Sequence, residues 1–177
     1  RRENIGERME QIFQAVKVLV EQHDDIEVVY PVHLNPLVQE RAQKIFGDIE
    51  RVRMIPPLTY EEFVNLMDRC YLVLTDSGGL QEEAPALGKP VLVLRDTTER
   101  PEAVIAGTVK LIGTEQERII AETSFLLTNP AAYRKMAAAV NTYGDGRAAE
   151  RICQAILYYF KLSSTRPKEY TIEFDVQ

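Results

Sequence analysis

The chain has 177 residues, of which 45% are hydrophobic and 27% charged, a composition typical of one globular domain rather than of a disordered protein. Its formal net charge of −6 argues against binding to nucleic acid or to an anionic membrane surface. No apolar run is long enough to span a bilayer and no secretory leader is visible, so we expect a cytoplasmic protein with no membrane partner.

The two cysteines, Cys70 and Cys153, lie within apolar patterns and lack CxxC spacing. This arrangement favours reduced thiols over a disulfide framework or a zinc site. We therefore expect no metal ion, and nothing in the sequence indicates a cofactor.

Strand-like and helix-like segments alternate along the chain. Apolar residues at helical spacing predict an amphipathic helix over residues 4–22, and a β-branched run predicts a strand directly after it. The predicted strands are 26–32, 51–55, 72–74, 89–94 and 109–112, and the later predicted helices are 36–46, 60–68, 80–87, 101–107, 115–127, 131–140 and 146–160. The alternation predicts an α/β fold with a doubly wound parallel sheet and right-handed crossovers.

Local signals mark several helix starts. Asn35 followed by Pro36 is typical of an N-cap and the first helical position. Thr59 and Glu62 have the spacing of a capping box, in which each side chain binds the other residue's backbone N–H. These pairs predict helices that begin at residues 36 and 60.

The third strand ends in small polar residues, and Gly78 and Gly79 follow Ser77. Glycine has no Cβ, so the backbone here can adopt positive φ and approach a ligand closely. A helix begins next, and free N–H groups at a helix start favour phosphate. A Gly-Gly turn alone is a weak signal, because a tight strand-to-helix turn that serves only packing has the same sequence.

The fourth strand leads into a polar loop that contains Arg100. Neighbouring parallel strands end at the same edge of a sheet, so we expect Arg100 to lie near the Ser77 turn. A guanidinium there offers two parallel donors to phosphate oxygens. Glu83 in the following helix could accept hydrogen bonds from a ribose diol, although a carboxylate in a first helical turn is also explained by the helix dipole.

The stretch TDSGGLQEEAPALGKPVLVLRDTTERPEAV resembles the signature of the non-hydrolysing UDP-N-acetylglucosamine 2-epimerases of bacteria. Three further segments agree with that family: RRENIGERMEQIF at the start, then YPVHLNP and PLTYEEFVNLM. The resemblance runs from Arg1 to about Phe160. It implies the GT-B architecture, in which two Rossmann-like domains face each other across a cleft, and this chain is similar to the carboxyl-terminal one.

The resemblance also implies a domain organisation. Residues 1–162 correspond to a Rossmann-like UDP-binding domain whose final helix, 146–160, is expected to pack on an amino-terminal domain. Residues 163–177 form a tail to which the sequence assigns no role. The family histidine that directly precedes the RREN segment has no counterpart here, since the chain begins at Arg1.

The family interconverts UDP-GlcNAc and UDP-ManNAc by anti elimination of UDP and its re-addition through 2-acetamidoglucal. Its carboxylates and lysine come from the amino-terminal domain, and Asp76, Glu99 and Glu102 do not match them. We therefore expect no catalytic residue in this chain, which alone should be inactive. The resemblance further implies a homodimer for the full-length protein and a role in cell-wall polysaccharide biosynthesis.

The resemblance assigns the remaining site residues. The UDP-binding positions are Ser77, Gly78, Gly79, Glu83, Arg100 and Phe63. Phe63 would lie near the uracil, with Tyr60 as a weaker candidate, although core packing also explains Phe63. In regulated members, positions that match Arg1 and His33 contact an allosteric UDP-GlcNAc, whereas a histidine at a strand end can equally well bind its own loop.

Two other functions remain open on the sequence. A GT-B glycosyltransferase uses a closely similar domain, although the paired glutamates that retaining members carry eight positions apart are absent around Glu82 and Glu83. A non-catalytic UDP-sugar sensor would need only the binding residues. The residues encoded upstream of Arg1 distinguish these alternatives.

Overall fold

The computed structural model describes residues 4, 6–139 and 143–170. Its strands are β1 (Val28–Pro31), β2 (Val52–Ile55), β3 (Val73–Thr75), β4 (Val91–Val93) and β5 (Val109–Leu111). Its helices are α1 (Glu7–Gln22), α2 (Pro36–Phe46), α3 (Tyr60–Arg69), α4 (Leu80–Ala86), α5 (Pro101–Ala106), α6 (Gln116–Thr128), α7 (Pro130–Ala137) and α8 (Ala148–Tyr159). The α/β class and all five predicted strands are confirmed.

The strands are parallel and form two hydrogen-bonded groups. β1 pairs with β2, and β4 lies between β3 and β5. We expected one continuous sheet, but no ladder joins β1 to β3: Leu74 of β3 packs against the same core cluster as Val28 and Tyr30 of β1. The carboxyl ends of β3 and β4 lie side by side, with Thr75 opposite Val93.

β4 shows why helices cover both faces of the sheet. Its side chains are fully buried and alternate in direction, as they must in a strand. Val91 and Val93 pack with α3, α4 and α5, whereas Leu92 packs with α1 and α6. Burial on both faces explains the continuous apolar run in this part of the sequence.

α1 connects the two halves of the core. One stripe packs around Phe13, whose ring contacts Tyr30 and Phe46 at centroid distances of 5.6 and 5.0 Å. Another stripe, with Leu19, packs against α6. The helix begins at Glu7, three residues later than predicted, because Gly6 has φ 125° and interrupts helical geometry.

The helix starts agree with the sequence signals. The Asn35 side chain accepts the Leu37 N–H at 3.0 Å. The capping box at α3 is complete: Thr59 donates its N–H to Glu62 Oε2 at 2.9 Å, and Thr59 Oγ1 accepts the Glu62 N–H at 3.4 Å. Both caps form as local sequence predicts.

Replacing Thr59 with alanine removes one half of this capping box and leaves the first-turn N–H groups of α3 without a side-chain acceptor. We expect Thr59→Ala to lower the free energy of unfolding by about 1 kcal/mol. Urea denaturation at pH 7 measures this loss. Thr97→Ala, at an exposed threonine outside any helix, is the matched control and should be close to neutral.

The same cap should depend on pH. The backbone and side-chain hydrogen bonds from Thr59 lower the pKa of Glu62. A lowered carboxylate pKa stabilises the fold above the unfolded-state pKa, and this contribution is lost as pH falls through the folded-state value. The difference between the unsubstituted chain and Thr59→Ala should therefore narrow on acidification below pH 4. A difference that stays constant would show that the bonds of the Thr59 hydroxyl to Glu62 do not depend on the Glu62 charge.

α8 differs from the other long helices because none of its residues is buried. Its apolar side chains are exposed, including Ile152, Ile156 and Tyr159 at 58%, 52% and 79%. Asp145 precedes the helix and forms an ion pair with Arg151 at 2.6 Å. Within residues 4, 6–139 and 143–170, no helix combines the length and apolar character that crossing a membrane requires.

Candidate functional site

The carboxyl ends of β3 and β4 deliver two loops to one edge of the sheet. Residues 76–79 follow β3 and lead directly into α4, and residues 94–100 follow β4 and lead into α5. Leu94 donates its N–H to the Thr75 carbonyl at 2.8 Å, which continues the ladder between the two strands. The position of both loops at one edge is the arrangement that the sequence predicted.

The 77–79 turn is compact. The Ser77 N–H binds Thr75 Oγ1 at 3.0 Å. Gly79 is the N-cap of α4 with φ −63° and ψ −42°, so the expectation of positive φ is wrong at this glycine. A Cβ built on Gly79 would lie 3.7 Å from Glu83 Oε1 and 3.9 Å from Ser77 Oγ. Gly79, the Ser77 hydroxyl and the Glu83 carboxylate therefore share one small region.

Arg100 reaches the first turn of α4. Its Nε atom donates to Oε1 of Glu82, three residues after Gly79, in a charged hydrogen bond. This bond raises the pKa of Arg100 above its ordinary value. The side chain keeps 30% of its surface exposed, so it lies at the surface beside the turn and not in the core. Glu82 is a partner that the sequence did not identify, because an ion pair between a helix and a loop 18 residues away has no local pattern.

Gln81 connects the two loops and was also missed. Its side chain is fully buried. Its Nε2 donates to the Ser77 carbonyl at 3.1 Å, and its Oε1 accepts the Thr98 hydroxyl at 2.6 Å. Thr98 Oγ1 in turn accepts the Arg100 N–H at 3.0 Å. No signal in the sequence marked Gln81, because it stands beside Glu82 and Glu83 in a polar first turn of α4.

Two further contacts hold the Arg100 loop. The Arg95 guanidinium is 10% exposed and pairs with Glu99 at 2.7 Å. Tyr143, from the segment before α8, packs against the core cluster on the α4 side, close to Glu102. Burial, together with the charges of Glu102 and Glu82, raises the pKa of Tyr143 to about 12.

The structure gives less support to the two residues predicted to contact uracil, Phe63 and Tyr60. Phe63 is partly buried and packs against the cluster that contains Met67 and Ala84. Tyr60 is 71% exposed at the start of α3. Packing thus accounts for Phe63, and its predicted contact with a base stays a prediction.

Of the two predicted allosteric residues, the structure describes His33, which follows β1. His33 is exposed, and its Nδ1 accepts the Asn35 N–H at 3.0 Å. Arg1 lies outside the described residues. Nearby, buried Asn4 donates to Asp76 at 2.9 Å, and burial followed by the Asp76 charge raises the pKa of Tyr30. The start of the chain is thereby tied to the end of β3.

The described residues show no metal centre. Among residues 4, 6–139 and 143–170, no three His, Cys, Asp or Glu side chains form a group that could hold an ion. Cys70 is partly buried and Cys153 is exposed, and both are free thiols.

Comparison with known proteins gives a consistent result. The family described as UDP-N-acetylglucosamine 2-epimerase matches residues 1–157. The UDP-N-acetylglucosamine 2-epimerase of Bacillus subtilis (strain 168) is 53% identical over 171 residues, which cover 97% of this chain and 45% of that protein.

Two solved structures extend the similarity to the fold. MnaA from S. aureus with UDP is 48% identical, with a TM-score of 0.92 over 97% of this chain and 47% of that one. UDP-GlcNAc 2-epimerase from Neisseria meningitidis bound to UDP-GlcNAc is 47% identical, with a TM-score of 0.85 over 89% of this chain and 43% of that one. These relatives have the GT-B fold.

The chain spans less than half the length of these relatives. The family match nevertheless covers most of this chain, and the matched residues include both loops at the carboxyl edge of β3 and β4. The resemblance expected from the sequence is confirmed: the chain belongs to the UDP-N-acetylglucosamine 2-epimerase family.

Proposed function

We propose that this chain is the UDP-binding half of a UDP-GlcNAc 2-epimerase. The observation that carries the proposal is the meeting of Arg100 with the first turn of α4, beside the 77–79 turn. Family membership supports UDP as the ligand, because the S. aureus relative has UDP bound and the Neisseria relative has UDP-GlcNAc bound. The coverage of about 45% supports a half and not a whole enzyme.

In this proposal the diphosphate lies against the edge of the sheet. The backbone N–H groups of Gly78 and Gly79 and the Ser77 hydroxyl donate to its oxygens, whereas the Ser77 N–H stays on Thr75. Arg100 keeps Nε on Glu82 and presents its terminal nitrogens to phosphate. Such charge-assisted hydrogen bonds are about twice as strong as neutral ones. An acidic chain holds an anion in this way through local donors instead of net charge.

Glu83 and Phe63 complete the proposed nucleotide site. The Glu83 carboxylate lies beside Gly79, where it would accept hydrogen bonds from the ribose hydroxyls. Phe63 would contact the uracil through the ring edge that core packing leaves accessible. Arg1 and His33 are proposed for an allosteric UDP-GlcNAc in the full-length protein.

The proposed reaction inverts carbon 2 of the sugar after UDP leaves by anti elimination, and UDP returns to the 2-acetamidoglucal intermediate. This chain would stabilise the charge that develops on departing UDP. The general acid and base would come from the rest of the protein. Asp76 is tied to Asn4, and Glu99 to Arg95, so these carboxylates serve the structure of the edge.

The domain organisation is part of the same proposal. Residues 1–162 form the UDP-binding domain, and the exposed apolar side of α8 packs on an amino-terminal domain. Apolar side chains such as Ile152 and Ile156 would be covered there. The full-length protein would be a cytoplasmic homodimer whose product enters cell-wall polysaccharide synthesis, and residues 163–177 receive no role.

Calorimetry and a turnover assay test the two parts of this proposal separately. We expect the 177-residue chain to bind one UDP and to leave UDP-GlcNAc unconverted. Uridine should bind more weakly than UDP because it lacks the phosphates. Conversion of UDP-GlcNAc by the pure chain would contradict the proposal that the general acid and base come from the rest of the protein. Absence of UDP binding would contradict the proposed nucleotide site.

A further inference from the structure

The two donor groups of the proposed site lie on separate loops, and a partly buried hydrogen-bond relay joins them. The relay runs from the Ser77 carbonyl to the Gln81 amide, then to the Thr98 hydroxyl, and ends at the Arg100 N–H. Its three distances are 3.1, 2.6 and 3.0 Å.

The direction of every bond in the relay is determined by chemistry. The Ser77 carbonyl can only accept, so the Gln81 nitrogen must face it and the Gln81 oxygen must face Thr98. The Thr98 hydroxyl must then donate its one proton to Gln81. Its lone pairs therefore remain for the Arg100 N–H.

The relay sets the spacing between the loops because its middle member cannot move. Gln81 is fully buried within the first turn of α4, and both of its polar atoms are satisfied. A shift of the Arg100 loop would leave a buried amide oxygen without its donor, which is costly in the interior. The Glu82 side chain, from the same helical turn, holds the guanidinium itself.

We infer that Gln81 and Thr98 are positioning residues that hold Arg100 at a fixed distance from the 77–79 turn, so that the site selects a diphosphate over a monophosphate. The inference rests on the proposed function and adds a basis for its specificity. A diphosphate contacts both loops at once, and a monophosphate contacts only one of them. Loss of the relay thus lowers the affinity for UDP more than the affinity for UMP, and it does not change the affinity for uridine.

Substitution of Thr98 tests the role of the relay. Thr98→Val keeps the shape of the side chain and removes both hydrogen bonds. Calorimetry on the 177-residue chain should show UDP affinity about tenfold lower and the preference for UDP over UMP reduced by a similar factor. Thr98→Ser restores the hydroxyl and should restore the preference. Thr97→Val, at the exposed neighbouring threonine, is the matched control and should change neither value.

Each result supports or overturns the inference. Equal losses for uridine, UMP and UDP would show a purely structural role, and an unchanged preference in Thr98→Val would overturn the inference while leaving the UDP site intact. If the unsubstituted chain does not bind UDP, the proposed function fails and the inference fails with it.

A measurement without substitution covers the case in which Thr98→Val does not fold. The Gln81 side-chain NH₂ protons of the unsubstituted chain should exchange slowly with solvent in NMR spectra, because the relay buries and holds them. Fast exchange at Gln81 would overturn the inference.

Discussion

Arg100→Ala is expected to weaken binding of UDP to this chain by about tenfold to a hundredfold. The estimate follows from the strength of charge-assisted hydrogen bonds to phosphate. Binding of uridine should be unchanged, because it carries no phosphate for the guanidinium to contact. Isothermal titration with UDP and uridine separates these effects.

The Glu82 carboxylate should add to the loss of UDP affinity in Arg100→Ala. In the unsubstituted chain its charge is compensated by Arg100, and after Arg100→Ala it would repel the bound phosphates. The double variant Arg100→Ala with Glu82→Gln should therefore bind UDP better than Arg100→Ala alone. A double variant that is weaker than the single one would show that Glu82 helps the site by some route other than its pairing with Arg100.

Arg53→Ala is the matched control for this experiment. Arg53 is an exposed arginine on β2 that pairs with Glu27 at 3.3 Å, away from the α4 edge. Removal of the Arg53 side chain should leave UDP affinity nearly unchanged. The only expected effect is a slight weakening, because the chain loses one positive charge. If Arg100→Ala binds UDP as well as Arg53→Ala does, the guanidinium is not a phosphate ligand.

Leu92→Ala is expected to give the largest loss of stability, about 2–5 kcal/mol in the free energy of unfolding. Leu92 is fully buried at the centre of the three-stranded sheet and packs among Leu19, Ile112 and Ile119. Truncation removes apolar contacts and leaves a cavity that α1 and α6 cannot both close. Because domains are stable by only about 5–15 kcal/mol, much of the total would be lost.

Urea denaturation followed by circular dichroism measures this change. Leu34→Ala is the matched control, since Leu34 is 69% exposed and lies in the loop before α2. It should shift the free energy of unfolding by no more than about 0.5 kcal/mol. Similar losses for the two variants would contradict the placement of β4 at the centre of the core.

The fold was predictable where local chemistry decides it. The continuous apolar run around Leu92 identified β4 because burial on both faces leaves no polar position in a central parallel strand. Asn35 and Thr59 identified helix starts because their side chains satisfy N–H groups within the same turn. Gly88 lies just past the end of α4 with φ 66°, a backbone conformation that glycine adopts without strain.

The site was predictable only in outline. The order of strands and loops places Ser77 and Arg100 at one edge without any knowledge of side-chain contacts. The Glu82 ion pair and the Gln81 bridge join residues 17 or 18 positions apart, so no periodic pattern contains them. At Gly79 the missing Cβ gives close access while φ remains helical, and sequence alone does not distinguish that use of glycine from positive φ.

The division of the strands into two hydrogen-bonded groups was also not predictable. β1 and β3 are four and three residues long, and Val28, Tyr30 and Leu74 pack against one core cluster without a ladder between the two strands. Alternation of strands and helices specifies direction and approximate order. It does not specify which neighbouring strands complete a hydrogen-bonded ladder.

An NMR titration of the ¹⁵N-labelled chain with UDP tests the central claim most directly. The proposal predicts that the largest changes in chemical shift occur at the backbone amides of residues 77–80 and at the Arg100 Nε–H, with smaller changes at Glu83. Uridine should reproduce the changes around Phe63 but not those at the 77–79 turn. Largest changes elsewhere, such as in the groove between α2 and Pro56, would contradict the proposed site.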